Sequence, residues 1–444
     1  MNSLDPFFKP KSVALIGAAH TETKLGGVVL RNLLKFRGKV YPINPKYPEL
    51  MGIKSYPSVS DIPEPVDLAI ILRPSSEVPA VLKELGDRAR GILIMSSGFA
   101  EIGETALQAE VQRLGKELGV RILGPNCMGV YNPHHKLDTF FLPSSRLRRP
   151  KKGNVSVISQ SGAILSCLLS AVKDANTGIS KAVGYGNAAD VTESDLYEYL
   201  ANDRKTSVVV SYLESVSDGR RFVESAKGLS HKKSLIILKA GKGSSGQAAA
   251  FSHTGRLAGR YEVFHAIVRQ FGIREAMDFD ELMDATKALS YQGPSGGKRV
   301  CIITNGGGSG VLAADECMRQ GLEATGLSAG KKERLGHIFP NFFGINNPVD
   351  LTAQVRDEDY ALALRELQDD YDGFVVIALP NVLGITERLA ELLKEAKAAI
   401  NKPIVSHIAP SVITASLRVR LEKARIPVYP SPERAVKGLR VLLE

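Results

Sequence analysis

The sequence predicts an α/β chain of open, parallel sheets wound on both faces by helices. Short aliphatic runs recur, among them SVALI at 12–16, VSVI at 155–158 and VCII at 300–303, and each runs into a small-residue turn and then a helix-like segment. Continuous aliphatic runs of this kind suit parallel strands buried on both faces. Strand and helix patterns alternate along the chain, the arrangement that makes a doubly wound sheet. Aromatics make up 6% of the residues and Trp is absent, so the cores are built from aliphatics. A length of 444 residues accommodates roughly two to four domains.

The first domain is predicted over residues 1–145. Strands are expected at 12–16, 39–43, 68–72, 91–95 and 120–123, with helices at 25–36, 78–85 and 105–118. This is a Rossmann-like pattern. The basic run RLRRPKK at 146–152 reads as a linker. The second domain, 153–291, opens with strand 155–158 and the turn SQSG at 159–162. QGPSGG at 292–297 is dense in chain breakers and reads as a second linker. The third domain, 298–444, opens with strand 299–303 and the turn TNGGGSG at 304–310.

The second and third domains read as an internal repeat. VSVISQSGA aligns with VCIITNGGGSG, GNAADVTESDLYEYL with NNPVDLTAQVRDEDYALAL, and SVVVSYLESV with GFVVIALPNV. Both are therefore expected to be flavodoxin-like α/β domains. In the last pairing Glu214 faces Pro380. The repeat keeps its frame and loses the acid, which places the chemistry in the second domain.

The formal charge of +10 is spread along the chain and suits anionic ligands such as phosphates, or an acidic partner. Nucleic acid is not expected, because no RNP-like aromatic motif, zinc spacing or basic helix is present. Cys127, Cys167, Cys301 and Cys317 form no CxxC pair or ligand-like cluster and read as reduced thiols of a cytoplasmic protein, with no metal site. No signal peptide and no membrane-spanning run is expected.

Several turns suit anions. Gly17 ends the first strand and is followed by Lys24, Gly26 and Gly27 at the start of a helix, which is an anion cradle. The second strand ends with Asn44 and Lys46, where a nicotinamide enzyme usually carries Asp or Glu for the ribose. A cation there suits a phosphorylated ribose, with NADP and coenzyme A both open. Ser96, Ser97 and Gly98, and Asn126 in GPNCMG, follow later strands, where small residues let a ligand approach the backbone. Ser161 and Gly162 open the first helix of the second domain, as a phosphate site or a plain helix cap. Glu214 ends a strand, and a carboxylate there suits holding an imidazole. That imidazole is His253, near the end of KAGKGSSGQAAAFSHTGR at 239–256. A histidine on a tether of small residues suits a travelling phosphoryl carrier.

Together these segments resemble the α subunit of NDP-forming acyl-CoA synthetases, of the ADP-forming acetyl-CoA synthetase type and related to succinyl-CoA synthetase. The resemblance rests on PKSVALIGA, VYPINPK, SSGFAEIGE, GPNCMGVYNP, SQSGA, GYGNAADV, YLESV, and KAGKG with SHTG. It implies a coenzyme A-binding first domain, with Gly17, Lys24, Asn44, Lys46, Ser96, Ser97, Gly98 and Asn126 at the ligand. It implies phosphate at Ser161 and Gly162, phosphorylation of His253 on a mobile loop, and stabilisation of the phosphohistidine by Glu214. It also implies a separate ATP-grasp β subunit holding ADP or ATP with Mg²⁺, in an α2β2 heterotetramer. The expected reaction is acyl-CoA + phosphate + ADP = carboxylic acid + CoA + ATP. The competing readings are a non-catalytic coenzyme A-binding or regulatory protein, and an NADP-dependent oxidoreductase.

Overall fold

The computed structural model describes residues 2–247 and 259–444. It divides into two compact units, Met1–Leu282 and Met283–Glu444. The first unit holds two large sheets and the second holds one.

The first sheet begins with β1 (Ser12–Ile16) and β2 (Lys39–Ile43). A small antiparallel hairpin of β3 (Glu49–Leu50) and β4 (Ile53–Lys54) follows. The sheet continues with β5 (Val66–Ile71), β6 (Ala89–Ile94) and β7 (Arg121–Leu123), in the order β2-β1-β5-β6-β7, all parallel. Alternate residues serve opposite faces, as the two-residue strand period requires. Leu15, Leu68, Ile70 and Leu93 join one core, and Ile16, Ala69, Ile71, Ile92 and Ile94 join the other. Ile16 is the register partner of both Ile43 and Ile71, so the turns after these strands leave from one edge.

The second sheet comprises β8 (Gly129–Asn132), β9 (Leu137–Asp138), β10 (Lys152–Ser159), β11 (Ile179–Gly184), β12 (Val208–Leu213), β13 (Ser234–Lys239) and β14 (Arg274–Ala276). Its order is β14-β13-β12-β10-β11-β8-β9. Strands β8 and β9 come from the stretch that the sequence pattern assigns to the first domain, yet they pair in this sheet, β8 antiparallel to β11. They cover an edge that would otherwise present unpaired backbone groups. The basic run is also tied down: Arg149 bonds Asp138 at 2.8 Å.

The second unit carries β15 (Val300–Thr304), β16 (Val349–Asp350), β17 (Gly373–Ala378), β18 (Ile404–Ile408) and β19 (Val428–Tyr429). They form a parallel sheet in the order β16-β15-β17-β18-β19. Asp284 and Lys287, from the helix Phe279–Tyr291, bond within this unit, to Arg434 at 2.6 Å and to Glu422 and Val428.

The repeat read from the sequence is visible bond by bond. Ser159 Oγ donates to the Ser161 carbonyl at 2.7 Å, and Thr304 Oγ1 to that of Gly306 at 3.1 Å. Asp195 accepts the Thr192 N–H at 2.9 Å, and Asp359 the Arg356 N–H at 2.7 Å, at equivalent helix starts. Among the described residues no helix is long and apolar enough to cross a membrane.

Candidate functional site

In the second sheet β10 lies between β11 and β12. The connections diverge to either side of it, which makes the carboxyl ends of β10 and β12 the switch point at which open α/β sheets hold ligands. The turn after β10 carries Gln160, Ser161 and Gly162. Ser161 is extended (φ −92°, ψ 125°) and caps the 13-residue helix Gly162–Asp174, its Oγ accepting the Ile164 N–H at 3.3 Å. The first N–H groups of that helix have no intrahelical acceptor and carry the positive end of the helix dipole.

Glu214 follows β12 and is 5% exposed. Its backbone N–H donates to Gln160 Oε1, and its carbonyl accepts from Lys239 Nζ at 2.7 Å. The Tyr212 hydroxyl, two residues earlier on the strand, hydrogen-bonds to the Glu214 side chain. Burial first, and then the adjacent carboxylate, push the Tyr212 hydroxyl above its ordinary range, so it stays a donor. Glu214 is thus a buried acid whose backbone is bonded to Gln160, two residues before the helix Gly162–Asp174.

The carboxyl edge of the first sheet gathers the other predicted residues. Gly17 sits at φ 91°, and a Cβ there would stand 2.4 Å from the Leu72 carbonyl oxygen, so only glycine fits. A Cβ on Gly26 would stand 2.0 Å from the Gly17 oxygen, which lets the helix Leu25–Leu33 start directly against the turn. Lys24 is the extended residue before that helix, with an exposed side chain. Asn44 is spent on shaping the edge. Its Nδ2 donates to the Ala18 carbonyl at 2.8 Å and its Oδ1 accepts the Lys46 N–H at 2.9 Å. The Lys46 side chain is exposed.

Ser96 Oγ donates to the Arg73 carbonyl, and the Ser96 carbonyl accepts the Asn126 N–H at 2.8 Å. Ser97 is exposed, and the Gly98 N–H donates to Glu101 Oε1 at 2.5 Å.

A partly buried polar knot joins the two edges of the first unit. Asn187 Nδ2 donates to Glu101 Oε2 at 2.6 Å and to Gln108 Oε1 at 3.0 Å, while its Oδ1 accepts from Asn126 at 3.3 Å. Burial opposes ionisation of Glu101, but the Asn187 amide and the Gly98 and Phe99 N–H groups outweigh it and hold the carboxyl below its ordinary value. A Cβ on Gly162 would meet Met128 at 3.5 Å, so the second-sheet helix starts beside the GPNCMG turn.

The structure brings Ser161, Gly162 and Glu214 to the carboxyl ends of two paired strands, β10 and β12, and Gly17, Lys24, Asn44, Lys46, Ser96, Ser97, Gly98 and Asn126 to one sheet edge. His253 lies outside the described residues. Gln160, Lys239, Glu101 and Asn187 were not singled out from the sequence. Each stands inside a motif that was, in SQSG, KAGKG, SSGFAE and GYGNAADV, but only the bonding partners distinguish them from their neighbours.

Family models match three consecutive stretches: a CoA binding domain over residues 11–133, a succinyl-CoA ligase like flavodoxin domain over 152–289, and a ligase-CoA domain over 300–440. The chain is 38% identical to the α subunit of ADP-forming acetate–CoA ligase II of Pyrococcus furiosus, covering 99% of this chain and 97% of that one. It is 40% identical to the ADP-forming acetate–CoA ligase of Methanocaldococcus jannaschii, of which it spans 61%. A solved structure of a Ca. Korarchaeum cryptofilum acetyl-coenzyme A synthetase 1 in complex with phosphate and ADP superposes with a TM-score of 0.93 at 35% identity, covering 100% of this chain and 96% of that one. Identity at this level over nearly the whole of an α subunit, with matching fold, means that the chain belongs to the family of ADP-forming acetate–CoA ligases, in their α-subunit form.

Proposed function

We propose that this chain is the α subunit of an ADP-forming acyl-CoA synthetase, acting with an ATP-grasp β subunit. The reaction is acyl-CoA + phosphate + ADP ⇌ carboxylic acid + CoA + ATP. Phosphate attacks the thioester carbonyl, coenzyme A leaves as the thiol, and an acyl phosphate remains. His253 displaces the carboxylate from that phosphorus and becomes phosphohistidine. The β subunit, holding ADP and Mg²⁺, accepts the phosphoryl group and regenerates the imidazole. Each step exchanges one phosphoryl or acyl bond for another, so the route runs both ways.

In this reading Ser161 and Gly162 hold the phosphoryl group at the helix N-terminus. Glu214 orients the imidazole and offsets the charge on its phosphorylated form. Gly17, Lys24, Lys46, Ser96, Ser97, Gly98 and Asn126 receive coenzyme A along the first sheet, and Asn44 shapes that edge. The close approaches at Gly17 and Gly26 set the helix start against the turn, which suits an anion at its N–H groups. The working assembly is a cytoplasmic α2β2 heterotetramer.

The observation that carries the reading is the buried Glu214, tied through Gln160 to the turn that starts the Gly162 helix, at the ends of paired strands β10 and β12. Reconstitution tests it. The chain alone, given acetyl phosphate, is expected to take up acid-labile phosphate without making ATP. With an ATP-grasp β subunit it is expected to make ATP from acetyl-CoA, phosphate and ADP. ATP synthesis by the chain alone, or no labelling from acetyl phosphate, overturns the proposal.

A further inference from the structure

The end of β13 holds a lysine that the reaction above leaves unused. Lys239 is 2% exposed. Its ammonium donates to the Glu214 carbonyl at 2.7 Å and to the Ala240 carbonyl at 2.6 Å. Leu213 and Lys239 are register partners, and the Ala240 N–H continues the ladder to the Leu213 carbonyl at 2.8 Å. The side chain therefore folds back over the sheet edge and crowns the ends of both strands. Both acceptors are neutral carbonyls. A methionine of similar length would fill the position without the cost of burying a charge, so packing alone gives no reason for an ammonium here.

The surroundings supply a reason. The carboxylates of Glu214, at the end of β12, and Glu275, in β14, both favour the charged ammonium. Glu275 is itself bonded by His265 Nδ1 at 2.7 Å, from the helix Tyr261–Gln270. Tyr261 of that helix faces Glu275, and the Phe264 ring lies under the ammonium, 5.9 Å to its centroid. Lys242 turns away to the Met277 carbonyl at 2.7 Å. Lys239 is thus a buried cation within electrostatic reach of two carboxylates, and it ties the Glu214 main chain to the start of the segment that follows β13.

We infer that Lys239 is a positioning residue for phosphoryl transfer, holding Glu214 in place and balancing its carboxylate. The inference rests on the reading of Glu214 given above. Burial lowers the Lys239 ammonium to about 8, with Glu214 and Glu275 working against that shift. The charged form is present below that pH and is lost as pH rises through it. The neutral amine keeps hydrogens to donate but loses the charge that strengthens both bonds. An arginine stays charged throughout.

The test uses the chain assembled with its β subunit and follows phosphoryl transfer from acetyl phosphate between pH 6 and 10, with coenzyme A binding as the control for folding. Lys239→Met is expected to lower kcat about tenfold or more while KM for acetyl phosphate changes little. The wild type is expected to lose transfer rate on the alkaline side, and Lys239→Arg to recover part of kcat and move that limb upward. A wild-type rate in Lys239→Met, or an unmoved limb in Lys239→Arg, overturns the inference. If neither variant binds coenzyme A, the wild-type profile decides: a rate flat to pH 10 overturns the inference, and an alkaline fall supports it. Glu214→Gln runs beside them. Wild-type transfer there overturns the reading of Glu214 itself, whereas slow transfer there with a normal Lys239→Met overturns only the role of Lys239.

Discussion

Gln160 and Glu214 are joined across the switch point of the second sheet. The Gln160 side-chain oxygen accepts the backbone N–H of Glu214, and that of Ser215 at 2.9 Å, and its Nε2 donates back to the Ser215 carbonyl at 3.1 Å. One buried amide therefore sets where the carboxylate leaves its strand. The second unit repeats the device without the acid. Asn305 accepts the Leu379 N–H at 2.8 Å and donates to the Leu379 carbonyl at 3.1 Å. Pro380 stands at the Glu214 position and has no N–H to offer. The shorter amide bonds one residue earlier, which fits the loss of that donor.

Replacing Gln160 with Leu strands two backbone N–H groups and a carbonyl in a buried turn. Each unsatisfied group costs about 1–3 kcal/mol, less where water enters. The variant is expected to melt several degrees lower and to transfer phosphoryl groups slowly even where it is folded. Asn305→Leu is expected to lower the melting temperature similarly but to leave transfer in the folded protein near wild type. Calorimetry with single-turnover labelling separates the two. Equal loss of transfer in both variants would show that the Gln160 effect is only destabilisation.

Glu214→Gln keeps the shape of the side chain and removes its charge. If Glu214 offsets the charge of a phosphorylated imidazole, labelling of the chain from acetyl phosphate is expected to slow by about 10²-fold or more. Coenzyme A affinity is expected to hold. His253→Ala is expected to abolish acid-labile labelling outright. Labelling that persists in His253→Ala would move the carrier to another residue.

The sheets were legible because buried parallel strands advertise themselves. SVALI and VCII are continuous aliphatic runs, and both lie in fully buried strands. The register of β8 and β9 was not legible, since GVYN and LD are short and follow no long pattern. Their place is set by the open edge of β11, a tertiary fact. Glu214 and the SQSG turn stood out from the internal repeat, where one copy has Glu and the other Pro. Lys239 and Asn187 did not, because their importance lies in which buried atoms they reach. A lysine at the start of a run of small residues looks like surface until its ammonium is found on two carbonyls.

The first-sheet edge makes a matched test of coenzyme A. Asn44 is engaged at both ends by Ala18 and the Lys46 backbone, and the exposed cation beside it is the Lys46 side chain. Losing one charge-assisted phosphate contact is expected to weaken binding by about 1.5–3 kcal/mol. If Lys46 meets the 3′-phosphate, Lys46→Met and dephospho-coenzyme A are expected to cost similar affinity singly and little more together. Fully additive losses by calorimetry would assign that phosphate to Lys24 or another cation. Asn44→Ala is expected to weaken both ligands equally, since it loosens the edge rather than removing a charge.

Asp195 offers a pH test of how the first unit is held together. It bonds Arg121, at the start of β7, and Arg221, in the helix Gly219–Ser230, each at 2.8 Å, and it closes the capping box of Thr192. Burial pushes its carboxyl up, but the Arg221 guanidinium, the Thr192 N–H and Arg121 outweigh this and bring it to about 2. A carboxyl depressed by folding stabilises the fold fully above its unfolded pKa of about 3.9 and loses that contribution as pH falls through its folded value. Asp195→Asn is therefore expected to cost about 2–4 kcal/mol near neutrality, part of it from two guanidinium groups left facing an amide. The difference in melting temperature between variant and wild type is expected to narrow from pH 5 down to pH 2. Arg121 retains Asp190 at 2.9 Å in the variant, so the first and second sheets keep one ion pair between them. A gap that stays constant across that range would mean that Asp195 acts through the geometry of its helix cap and not through its charge.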